Sequence, residues 1–198
     1  MIQSGNPEIF AIESHISAAY ASLGMRALGY FALHVGGKSY GVREHNASLL
    51  ACSVDEVERR AANRGKHTAF FSQHASAGDL ADAVYGAVYG SSSIEYPTFG
   101  RKKSELSEVI RSSRLIWAPD GDQAFDDGSF VLHFDRGAEV RLIGFRVGEN
   151  ARHEPNSLSD VRLSNGEFYR LLKQWRSDFE TAWREAPKVN PSGYEPEG

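Results

Sequence analysis

A chain of 198 residues, 41% of them hydrophobic, can close one core of ordinary size and is barely long enough for two. Its 22 Lys and Arg against 26 Asp and Glu give a net charge of -4, which argues against nonspecific binding to nucleic acid or to a membrane surface. Cys52, the single cysteine, can form neither an internal disulfide nor a thiolate metal cluster, and no apolar run approaches the roughly 18 residues of a membrane span, so a cytoplasmic protein is expected.

From the N-terminus, Gly5-Asn6-Pro7 resists helix and the mixed pattern of Ile9 to Ile16 suits a strand. Residues 30–35 and 38–42 read as two strands joined by Gly36-Gly37, since Gly-Gly tolerates the positive φ that a two-residue hairpin turn demands. Between residues 48 and 90 the apolar period lengthens to that of a helix. Ser53 with Glu56 forms a possible capping box for a helix running to about Asn63, although Leu49 and Leu50 allow a start near Ser48, and Gly65 closes it. A second helix, from near Ser76 to Gly90, carries Leu80, Ala83, Val84, Ala87 and Val88 on one stripe.

Residues 91–113 are polar and uneven, with Pro97, Gly100 and the basic triplet Arg101-Lys102-Lys103, and read mainly as loop. A strand series follows at 115–117, 129–134 and 139–147, for which an antiparallel meander is the simplest arrangement. In its middle member Phe130, Leu132 and Phe134 point one way, Val131 and His133 the other. Ser164 and Glu167 cap a final helix whose Phe168, Leu171, Leu172, Trp175, Phe179 and Trp183 form an apolar face opposite Arg170, Lys173, Arg176 and Glu180. Trp175 and Trp183 are therefore assigned to the core. The expected fold is α+β, mainly antiparallel sheet packed against two or three helices including this long C-terminal amphipathic one, as a single domain over 1–185 with a flexible Pro/Gly-rich tail over 186–198.

Chemistry-bearing residues are scattered. The seven histidines never take the spacing of a metalloprotease helix, and the glycines match no phosphate-binding loop. His133 and Asp135 share a strand face and could join a metal site in a small hydrolase, but two residues do not define one, and a structural role for His133 is the simpler reading. Cys52, between Leu49, Leu50 and Val54, reads as a buried packing residue. Residues 119–128 concentrate Asp120, Asp122, Asp126 and Asp127 without the ligand spacing of a calcium loop. Two readings stand: Asp and Gly make the turns between strands, or the four carboxylates beside Trp117 and Phe125 form an acidic rim that steers a basic partner. Partner-binding candidates are accordingly Trp117, Asp120, Asp122, Asp126 and Asp127, with no catalytic residue, metal or cofactor assigned.

Several motifs in order, namely Gly5-Asn6-Pro7 with Phe10-Ala11-Ile12-Glu13, the hairpin from Gly37 to Gly41, Tyr89-Gly90, Phe125-Asp126-Asp127-Gly128, Arg141-Leu142-Ile143 and Gly166-Glu167-Phe168, resemble the immunity protein 42 family of bacterial polymorphic-toxin systems. The resemblance spans about residues 5–183 and departs at the basic 91–113 segment and beyond Ala186. It implies an α+β protein, encoded beside a toxin, that protects its producer by binding that toxin and brings no catalytic residues. A metal-dependent hydrolase and a binding module unrelated to toxins are the competing expectations.

Overall fold

The structure, a computed structural model, describes residues 1–73, 75–91, 93–118 and 123–190. The strands form two antiparallel sheets, and the series expected as a meander is the second of them. The first follows the path β1 (Ile2–Asn6), β2 (Phe10–Ala19), β3 (Ala27–Val35), β4 (Lys38–Tyr40), with the short β5 (Ser48–Leu49) also pairing β3. The second runs β6 (Ile116–Ala118), β7 (Ser129–Arg136), β8 (Glu139–Arg146), β9 (Ser159–Ser164). The described residues also hold four α-helices: α1 (Leu50–Ala62), α2 (Ala77–Val88), α3 (Lys103–Ser112) and α4 (Asn165–Glu185).

Local chemistry explains most element ends. Gly36 and Gly37 sit at φ +59° and +77°, the left-handed pair a tight hairpin requires between β3 and β4. The Asn6 side chain accepts from the Glu8 N–H at 3.0 Å, turning β1 back onto β2, so the segment that resists helix is a second hairpin. Ser76 and Ser164 cap α2 and α4 by accepting from the Asp79 and Glu167 N–H groups. The expected capping box at Ser53 and Glu56 is not used: α1 begins at Leu50 because β5 delivers the chain directly into it, and both residues lie inside the helix. Cys52 is exposed, not packed, because it points away from the buried stripe of Leu50, Val54 and Val57.

The second sheet is buried on both faces. Phe130, Leu132, Phe134, Ile143 and Phe145 meet Leu80, Val84, Leu106 and Ile110 from α2 and α3. The stretch expected to be loop therefore holds α3, whose Leu106 and Ile110, four residues apart, are its buried face. On the other side, Val131, Val140, Leu142 and Leu163 join Phe10, Ile12, Phe31 and Leu33 of the first sheet and the apolar face of α4. Trp175 stacks edge-on against Phe31 with centroids 5.1 Å apart and donates its indole N–H to Ser14 Oγ at 3.1 Å. Trp183 donates to the carbonyls of Tyr20 and Arg26. A buried indole needs such an acceptor, and α4 is placed where both find one.

The two sheets are joined near Tyr40, fully buried, whose hydroxyl donates to the Ser157 carbonyl at 2.7 Å. Its ring lies over Gly144, where an added Cβ would sit 2.3 Å from ring carbons. Gly144→Ala is expected to destabilise the fold by about 1–3 kcal/mol, the usual range for overpacking, read as a lowered urea midpoint at unchanged slope. At the other end, the predicted tail begins held: Lys188 bridges Ala19, and the Val189 N–H donates to the Ala19 carbonyl at 2.8 Å. The remainder of that tail, 191–198, lies outside the described residues.

Candidate partner-binding surface

The acidic segment between β6 and β7 divides into inward and outward parts. A 3-10 turn at Gln123–Phe125 buries Ala124 and Phe125; the Val42 N–H donates to the Ala124 carbonyl at 2.6 Å, and the Phe125 ring meets Phe31 edge-on. This anchor leaves Asp126 and Asp127 exposed. Asp127 is already engaged: one oxygen accepts from the Ser129 N–H at 3.1 Å and the other from the Arg146 guanidinium at 3.2 Å. That residue thus makes the turn, as the first reading expects, and stays at the surface. Asp120 and Asp122 lie outside the described residues.

Trp117 does not belong to the rim. It is 2% exposed, packed against Phe10 and Phe168, with the Arg60 guanidinium over its ring at 5.2 Å. The cause is the pairing of β6 with β7, which turns Trp117 toward α4.

His133 and Asp135 are drawn into a buried polar network that the sequence did not reveal. Arg60, from α1, is fully buried; it pairs with Glu56 at 2.8 Å, donates to the carbonyls of Arg114 and Ile116, and donates to His133 Nδ1 at 3.2 Å. An arginine cannot accept, so His133 Nδ1 carries the lone pair and its Nε2–H faces Asp135, 3.5 Å away. Asp135 also accepts from the His67 N–H at 3.1 Å and the Tyr169 hydroxyl at 3.0 Å. The His67 Nδ1–H donates to the Ser113 carbonyl, and its ring lies 4.4 Å from that of His133.

The electrostatics follow from this burial. Desolvation, with the neighbouring Arg60 cation adding to it, pushes His133 down to about 3 against the opposing pull of Asp135, so the imidazole is neutral. Burial alone would raise Asp135, but the hydrogen bonds from His133, the His67 N–H and Tyr169 outweigh it and hold the carboxyl below its ordinary value. Burial, then Asp135, push the Tyr169 phenol far upward. With His133 fully buried and Asp135 5% exposed, the pair serves packing and offers no surface to a substrate. Among the described residues no group of three or more His, Cys, Asp or Glu side chains is arranged to hold a metal ion.

A second carboxylate is locked in the same manner. Glu13 lies on the face of β2 turned from the core yet is 2% exposed, because Tyr30 donates to it at 2.7 Å, His34 Nε2 lies 2.8 Å away and Arg43 closes over it. Burial would raise its pKa, and these partners lower it further than burial lifts it.

A model of the family described as immunity protein 42 matches residues 1–178, from β1 into the second half of α4. This chain belongs to the immunity protein 42 family. Among solved structures, this family member is similar to the crystal structure of CdiI from Burkholderia dolosa AUO158, with a TM-score of 0.55 at 20% identity over 87% of this chain and 96% of that one. At that identity the likeness shows a shared fold. No curated protein matches the chain. Among the described residues, no helix of this immunity protein 42 member is long and apolar enough to cross a membrane.

Proposed function

We propose that the protein binds and neutralises a cognate bacterial toxin in the cytoplasm by occluding it, and that the toxin is encoded by an adjacent gene. Membership of the immunity protein 42 family over residues 1–178 carries this reading. Burial of His133 and Asp135 within the folded core, out of reach of a substrate, supports action by binding and not by catalysis. Co-expression tests it: the neighbouring toxin gene should kill host cells alone and spare them with this protein. Equal killing in both cases would remove the reading.

Within this reading the acidic turn steers a basic toxin surface. Asp126 is the cleaner probe, because Asp127→Lys would also break the pair with Arg146. Asp126→Lys should slow association with the toxin by about three- to tenfold at low salt and flatten its salt dependence, with the melting temperature unchanged. Stopped-flow association rates across a salt series measure this, and identical rates would take the turn out of the interface.

A further inference from the structure

We infer that the groove between α1 and α4 receives an acidic, partly apolar segment of the protein partner, an inference that rests on the toxin-binding reading above. Three adjoining hollows run along the outer side of α4, and Lys173 lines all of them. The largest, about 560 Å³, lies between the two helices and presents the accessible aliphatic side chains of Ala61 and Ala62 above the fully buried Val57 and Leu172. Arg176 stands at its edge and reaches across to Glu58 on α1.

A charged helix face is ordinarily just solvated. Charge balance sets this one apart. The three hollows are lined by five basic side chains, with Arg64, Arg170 and Arg184 beside the two already named, and by two acidic ones, a local +3 on a chain of -4. Both acids are already taken, Glu58 by Arg176 and Glu180 by Arg26. Arg170 and Lys173 are exposed, and among the described residues neither pairs with a carboxylate. A concave surface of one sign focuses the field onto a ligand of the opposite sign.

The same surface separates an acidic peptide from a nucleic acid. Stacking on aromatic rings gives single-stranded nucleic acid much of its affinity. The one aromatic ring in these walls, Tyr169, is 2% exposed and covered by the Arg64 guanidinium at 5.2 Å. Aliphatic side chains between cationic edges suit a segment that alternates carboxylates with apolar residues.

Fluorescence anisotropy with a labelled ten-residue peptide of alternating Glu and Leu, and with labelled U10 RNA, tests the choice on the full chain. The peptide should bind with strong salt dependence and more tightly than the RNA. Arg170→Glu with Lys173→Glu should weaken it about tenfold or more while leaving the thermal melt in place, since both side chains are exposed. Tighter RNA binding, no peptide binding, or unchanged affinity in the double variant would each overturn the inference. Cell protection then separates it from the function it rests on. Protection by the native chain and its loss in the double variant support the groove. Equal protection by both overturns the groove and leaves the immunity role standing, whereas no protection by the native chain overturns both.

Discussion

Asp135→Ala should cost the fold about 3–5 kcal/mol, the combined penalty of several buried donors left without their acceptor. The loss comes less from the missing bonds than from what they leave behind. The His67 N–H and Tyr169 hydroxyl would stay buried without their acceptor, each at about 1–3 kcal/mol. The His133 Nε2–H would lose the carboxylate it faces. Tyr169→Phe removes one donor and its bond together, so it should cost only about 1 kcal/mol. Urea unfolding of the two variants measures the contrast. Equal and small losses would show that the carboxylate is not the centre of the network.

That network marks where sequence reading stopped. Its members come from α1, the loop after it, β7 and α4, at positions 60, 67, 133, 135 and 169, and no local period brings them together. By contrast α4 was legible throughout, because six apolar residues at helical spacing and a capping Ser164 point to one answer, and all six are buried. The alternation in β7 was equally informative, since Phe130, Leu132 and Phe134 enter one core and Val131 the other. Short elements with sparse apolar content were missed. In α3 only Leu106 and Ile110 are buried, and in β9 the hydrophobic side chains are Val161 and Leu163. Their stability comes from packing onto the second sheet, a contribution that propensity does not register.

The candidate surface was read with the same bias. Trp117 beside four carboxylates suggested an aromatic at a sticky rim, but a three-residue strand carries too little alternation to say which face is inward. Its direction was settled by pairing with β7. Cys52 shows the reverse case, because helical geometry sufficed. Two residues on from Leu50 and two before Val54, it stands about 200° from each at 100° per residue and so must lie opposite the buried stripe. Apolar sequence neighbours are not spatial neighbours on a helix.

The fold should also lose stability in acid, and His133 sets the window. Burial and Arg60 both disfavour its protonated form, Asp135 favours it, and desolvation of a fully buried ring outweighs the one carboxylate at 3.5 Å. Its pKa in the folded chain is therefore about 3, below the ordinary 6.5. Between those values the unfolded chain holds a proton that the folded chain does not, so stability present above pH 6.5 declines as the pH falls toward 3. At up to about 1.4 kcal/mol per unit, the decline from pH 6.5 to 4.5 reaches about 2 kcal/mol for this group alone. His67, lowered chiefly by burial, acts in the same direction below 6.5. Asp135 and Glu13, both lowered, remove further stability once the pH falls through their folded values. Urea midpoints at pH 7, 6, 5 and 4.5 should fall steadily. His133→Gln, whose amide oxygen can still accept from Arg60, should reduce the slope by about one proton. A variant that loses stability with acid as steeply as the native chain would show that the imidazole is not the titrating group, and that its burial is relieved before it protonates.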